Sequence, residues 1–218
     1  MPPSAILFDF DGVLADTENH HVAAWQRTLA VLGWQIADEV AARSAEIDDR
    51  DFLTQLFAER GIAGADIEGW VRRKQKIFLP LVSNEPRLYP GVKELVEELR
   101  PRARLAIVSG AWRENILAVL HSAGFAELFE VIVSKEDVAA PKPAGDGYEC
   151  ALERLGISAS SAIALEDSPT GIAAARSAGI PVIAVGHRRP FGEWVGGAAY
   201  VSGFQPALGL LRHLGFLS

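Results

Sequence analysis

Phe8-Asp9-Phe10-Asp11-Gly12-Val13-Leu14-Ala15-Asp16 is the stretch from which the rest of the chain is read. It continues the apolar run Ala5-Ile6-Leu7-Phe8, short and β-prone enough for a buried strand of a parallel sheet. Two carboxylates stand where that strand should end, and Gly12 permits the sharp turn that exposes them. In open α/β sheets ligands sit beyond the carboxyl ends of the strands. Asp9 and Asp11 are two residues apart, so in extended chain they project to the same side. Like charges held that close repel unless a cation or a shared proton relieves them. Alone, an Asp-x-Asp is most simply a solvated acidic turn. Three later strand ends also carry site-like residues, and that changes the reading.

The 218 residues suffice for one large domain, or for a core with a smaller companion. With 49% hydrophobic and 22% charged residues the composition is that of an ordinary globular chain. A net charge of -7 argues against a nucleic-acid partner, which needs a basic face, although a local site can still oppose the global sign. No apolar run approaches a membrane span, so no membrane partner is expected. Met1-Pro2-Pro3-Ser4 lacks the basic and apolar parts of a signal peptide. One cysteine, Cys150, excludes an internal disulfide, and a cytoplasmic monomer is the expectation.

Beyond the opening turn, residues 19–32 carry Val22, Trp25, Leu29 and Leu32 near helical spacing, and Gly33 ends the run. Helical patterns follow at 51–60 and 65–79, with no convincing strand between them. This all-helical stretch ends at Pro86-Arg87-Leu88-Tyr89-Pro90-Gly91, a Pro/Gly-rich break. The rhythm then changes. Strands at 105–108, 131–133, 162–165 and 182–185 alternate with helices at 92–99, 113–123, 146–155 and 170–178. Such alternation indicates a parallel sheet covered on both faces. The tail adds a weak strand at 200–201 and a helix at 207–214. The expected fold is thus α/β: a doubly wound, Rossmann-like parallel-sheet core, residues 1–16 and 89–218, with an all-helical insert, 17–88.

Read at their ends, the strands assemble a site. The first gives Asp9 and Asp11, the second Ser109 and Gly110, the fourth Glu166 and Asp167. After the third comes Lys142 between Pro141 and Pro143, which restrict its backbone. Carboxylates suit a hard cation such as Mg²⁺, which keeps several waters and is often shared with a substrate phosphate. Ser109 and the N–H groups entering the next helix can bind phosphoryl oxygens, and Lys142 can act there as a point charge. An aspartate can also serve as the nucleophile that accepts the phosphoryl group. Each piece has a plainer explanation: a turn serine, a surface lysine, acids at a helix N-terminus. Four such coincidences on one sheet edge are less probable than one shared site.

In order and spacing, Asp9-Phe10-Asp11-Gly12-Val13-Leu14, Ile107-Val108-Ser109-Gly110, Lys142-Pro143 and Glu166-Asp167-Ser168-Pro169-Thr170-Gly171-Ile172 resemble the four motifs of the haloacid dehalogenase superfamily, in its phosphatase and phosphomutase branch with a helical cap. The resemblance implies that Asp9 is the nucleophile and Asp11 the general acid, then base. It implies that Ser109, Gly110 and Lys142 hold the phosphoryl group. It assigns Mg²⁺ to Asp9, Asp167 and the Asp11 carbonyl, with Glu166 as ligand or support. Members that cleave carbon–halogen bonds lack an Asp at the Asp11 position.

Thr17-Glu18-Asn19-His20-His21 followed by Trp25 is similar to the β-phosphoglucomutase group. There His21 would orient the acid/base Asp, and Arg50 would grip a distal phosphate. Glu46 stands where those mutases usually carry a lysine, and Gly145 where a proline commonly follows Lys-Pro. The substrate implied is a small phosphorylated metabolite, a sugar phosphate first, with hydrolysis expected over mutase transfer. Trp112, three residues after Ser109, is a candidate pocket wall. The run Arg72-Arg73-Lys74 with Lys76 reads as a solvated helix face, Cys150 as a small buried residue, and His187 as a surface or packing residue.

Overall fold

A computed structural model describes residues 4–45 and 47–213. The chain divides into two compact units, Met1–Asp16 with Arg87–Ser218, and Thr17–Pro86. Residues 87 and 88, expected with the helical insert, are tied to the first unit. The Asp16 N–H donates to the Arg87 carbonyl at 2.9 Å, and Ala15 bridges Leu88 in antiparallel fashion.

The first unit is built on a six-stranded sheet of order β3-β2-β1-β4-β5-β6, in which every neighbouring pair is parallel. The strands are β1 (Ala5–Phe8), β2 (Arg104–Val108), β3 (Val131–Val133), β4 (Ala162–Glu166), β5 (Val182–Val185) and β6 (Ala199–Val201). All four residues of β1 are buried, which is why it reads as a continuous apolar run rather than an alternating one. The chain winds outward from β1 to β3, then returns to β4 on the other side of β1. That reversal makes a topological switch point between β1 and β4, where the strand ends leave a crevice. Phe8 pairs with Ile107 on one side and Leu165 on the other, so Asp9 emerges level with Val108 and Glu166.

Side chains alternate across the sheet. Ala5 and Leu7 belong to a core with Ala106, Ala164 and Ala184, covered by Tyr148, Ala151 and Leu155 of α7 (Asp146–Leu155) and by Ile172, Ala174 and Ala175 of α8 (Pro169–Ser177). Alanine on both surfaces lets these helices approach the sheet closely. Phe8 lies edge-on to Phe129, ring centroids 6.0 Å apart. The remaining helices of this unit are α5 (Val92–Leu99), α6 (Arg113–Ala123) and α9 (Phe204–His213).

The second unit holds α1 (Glu18–Leu29), α2 (Asp38–Ala42), α3 (Asp49–Glu59) and α4 (Ile67–Asn84). Trp25 of α1 is fully buried against Phe52 of α3, centroids 5.2 Å apart. Two sequence expectations fail here for physical reasons. Helix α2 has five residues, too few for a periodic signal. Helix α4 runs through Pro80 instead of stopping at 79. Pro80 sits on the exposed side, while Val71, Phe78 and Val82 keep the buried stripe continuous past it. Among the described residues no helix is long and apolar enough to cross a membrane.

Candidate active site

Two carboxylates and a backbone carbonyl at the carboxyl ends of β1, β4 and β2 converge on one ammonium group. Lys142 Nζ donates to Asp9 Oδ1 at 2.6 Å, to Glu166 Oε1 at 2.6 Å and to the Val108 carbonyl at 3.0 Å. An ammonium has three protons, and all three are used. With its side chain only 18% exposed, Lys142 anchors two strand-end carboxylates to the end of β2. Burial opposes its charge, but the carboxylates of Asp9 and Glu166 raise its pKa.

Glu166 is wholly buried. Burial pushes its carboxyl up to about 7 against the pull of Lys142, with the Asp9 charge adding to the rise. Tyr148 of α7 donates its hydroxyl to the same Oε1 at 2.6 Å, held protonated by burial and by Glu166. Oε2 of Glu166 is buried with no hydrogen-bond partner among the described residues. It lies against Gly171, where any Cβ would overlap the carboxylate. Asp167 is also pushed well above the usual carboxylate range, by burial first and then by Asp9 and Glu166. It sits against Gly12, whose φ of +84° and missing Cβ allow that approach.

Asp9, Glu166 and Asp167 each offer an oxygen within 4.8 Å of the others. Three converging carboxylates with a single lysine, raised pKa values and an orphaned Glu166 oxygen form a donor set that a hard divalent cation would complete.

Asp11 lies in the turn that follows. The Phe10 carbonyl accepts from the N–H groups of Leu14 and Ala15, and the Gly12 N–H donates to the Ala15 carbonyl, each at 2.9 Å. Ser109 is buried, and its Oγ accepts from the Ala111 N–H at 3.0 Å. Gly110 is exposed beside it, with open space where a Cβ would lie. Trp112 is the N-cap residue of α6, with Lys135 Nζ 5.0 Å from its ring centroid.

His21, Arg50 and Lys74, also singled out from the sequence, belong to the second unit. Arg50 pairs with Glu68 of α4. Glu46 lies outside the described residues. His21 leads to a correction: Lys74, read as part of a solvated basic face, is 1% exposed. Its ammonium donates to Asp49 Oδ2 at 2.9 Å and to His21 Nδ1 at 2.8 Å, and sits 4.8 Å from the Phe78 ring centroid. Burial first, then Lys74 and His20, hold the His21 pKa well below its ordinary value, so its neutral ring can accept that bond. Arg72, Arg73 and Lys76 are exposed as expected, but Lys74 between them turns to the buried face with Val71, Gln75 and Phe78. Cys150 is half-buried rather than buried. Substituting Lys74 by methionine should keep the aliphatic packing yet strand Asp49, destabilising the protein by about 3 kcal/mol in denaturant unfolding. A midpoint unchanged from wild type would show the pair to be dispensable.

The doubly wound sheet with a lysine and carboxylates at its switch point defines a class. The chain belongs to the haloacid dehalogenase-like hydrolases, whose family model matches residues 6–185, and within them it is a phosphatase-type enzyme. Among its relatives, Protein CbbY of Rhodobacter capsulatus is 33% identical, over 84% of this chain and 85% of that protein. A phosphorylated carbohydrates phosphatase of Thermotoga maritima is 30% identical, over 81% of this chain and 82% of its own length. The crystal structure of CbbY from Rhodobacter sphaeroides in complex with phosphate superposes with a TM-score of 0.81 at 32% identity, covering 93% of this chain and 95% of that one.

Proposed function

We propose that the protein is a Mg²⁺-dependent phosphomonoesterase of small phosphorylated metabolites, sugar phosphates foremost, working through an aspartyl phosphate on Asp9. The observation that carries this reading is the junction of Asp9, Glu166 and Asp167 around Lys142, with Asp11 two residues from Asp9. The relative named as a phosphatase of phosphorylated carbohydrates supports the substrate class.

In the first step an Asp9 carboxylate oxygen forms a bond to phosphorus as the ester P–O bond breaks. Asp11, as the acid, gives its proton to the leaving oxygen. In the second step Asp11, now the base, takes a proton from water. The water oxygen bonds to phosphorus, the bond to Asp9 breaks, and inorganic phosphate leaves. Lys142 screens the Asp9 charge from the incoming phosphoryl oxygens, and Ser109 with the amides beyond it supplies donors. Mg²⁺ held by Asp9, Asp167 and Glu166 would neutralise the converging carboxylates and draw charge from the phosphoryl group.

Phosphate release across a metabolite panel is expected to require Mg²⁺ and to vanish with chelator. Full activity in chelator would remove the cation from the mechanism. A phosphomutase is the second reading, favoured by the Thr17–His21 stretch. With an anomeric sugar phosphate and a bisphosphate primer, free phosphate should outpace isomerised product. Conversion with almost no phosphate released would establish the mutase instead.

A further inference from the structure

We infer that His187 is a positioning residue for the Asp9–Asp11 turn, bracing it from the loop after β5 through the Val13 backbone and the Tyr89 ring. The inference rests on the phosphatase reading above. The turn carrying Asp11 is bonded to the chain that returns from the helical insert. The Tyr89 N–H donates to the Leu14 carbonyl at 3.0 Å, and the Tyr89 hydroxyl reaches Asp16 Oδ1 at 3.4 Å. Tyr89 therefore holds the far end of the turn.

His187 holds Tyr89 in turn. Its imidazole lies flat on the phenol ring, centroids 4.1 Å apart and planes 1° from parallel. Its edge meets Phe204 at 4.6 Å, on the helix that closes this unit. The Val13 backbone, within the turn itself, stands in hydrogen-bonding reach of the same imidazole and favours its protonated form. One residue thus grips the turn directly and through Tyr89, from a loop on the neighbouring side of β4.

Simple packing does not account for a histidine here. Its Nε2 is buried with no hydrogen-bond partner among the described residues, a cost that phenylalanine in the same stack would not carry. What phenylalanine cannot provide is the bond to Val13. Burial lowers the imidazole pKa to about 4, so the ring is neutral near pH 7 and adds no cation beside Asp16. The consequence falls on Asp11, two residues before Val13. General acid catalysis depends on the distance from the acid to the leaving oxygen, and a misplacement near 1 Å can cost about 10²-fold in rate.

The test compares wild type, His187→Phe, His187→Asn and Asp9→Asn as full-length proteins with Mg²⁺. The substrates are p-nitrophenyl phosphate, whose leaving group needs no proton, and glycerol 3-phosphate, whose leaving group does. His187→Phe keeps the stack and loses the backbone bond. It should lower kcat on glycerol 3-phosphate about 10- to 100-fold, with KM nearly constant and the melting temperature preserved. The loss on p-nitrophenyl phosphate should be much smaller. His187→Asn, which keeps a polar group beside Val13, should recover part of the difference between the two substrates. A His187→Phe enzyme within twofold of wild type on both substrates would overturn the inference. So would equal losses on both that track a fallen melting temperature, which would mark His187 as structural. Failure of the phosphatase reading shows itself separately, as an Asp9→Asn protein that hydrolyses both substrates as fast as wild type.

Discussion

Asparagine in place of Asp9 is expected to abolish turnover, a loss on the order of 10⁴-fold or more, in a protein that still folds. The amide has nearly the shape of the carboxylate but is not a nucleophile at phosphorus. Folding should survive because Lys142 retains two of its three partners, Glu166 Oε1 and the Val108 carbonyl. Removing one of three converging carboxylates also eases their repulsion, so the melting temperature in chelator should hold or rise. Single-turnover phosphate release and thermal unfolding on the same sample read both halves of the expectation. Activity within tenfold of wild type would take the nucleophile role away from Asp9.

Lys142→Ala should fail in a different way, losing activity and stability together. The lysine is the cation that both Asp9 and Glu166 lean on, and Glu166 is wholly buried. Breaking a buried pair by removing one partner costs about 3–5 kcal/mol, because the other charge stays behind. Loss of a positive group facing the phosphoryl oxygens should lower kcat by a further 10²–10³-fold, roughly the worth of one preorganised donor. Urea unfolding with and without Mg²⁺ separates the two roles. In chelator the variant should unfold at markedly lower denaturant, and Mg²⁺ should restore part of the difference by supplying charge to the same carboxylates. A variant as stable as wild type in chelator would mean that the carboxylates need no cation there.

The core was readable in the sequence because its signals are local. Ala5–Phe8, Val131–Val133 and Val182–Val185 are short apolar runs whose limits the structure reproduces, and each ends at a Gly, Pro, Ser or acidic residue within a few positions. The gathering of Asp9, Glu166 and Asp167 could be read from strand ends, since topology brings those ends to one edge, and Lys142 arrives there from the loop after β3. What escaped was pairing at long range. Nothing near Lys74 distinguishes it from Arg72, Arg73 and Lys76; its partners are His21 on α1 and Asp49 on α3. Tyr148 has the spacing of a core residue on α7, and its hydroxyl gains meaning only beside Glu166. His187 likewise takes its significance from Tyr89 and Val13, far away in sequence.

The bond from the Asp16 N–H to the Arg87 carbonyl, with the bridge between Ala15 and Leu88, sets the two points where the chain leaves and rejoins the sheet unit side by side. A segment whose ends are already neighbours can change its length at little entropic penalty, since each doubling of a loop adds only about 0.6 kcal/mol to closure. The helical unit is in this sense a cassette. Its size and sequence can drift, or be exchanged by an engineer, while the register of the catalytic strands stays as it is. Change in the helical insert and constancy of the strand ends are thereby separable along the same chain.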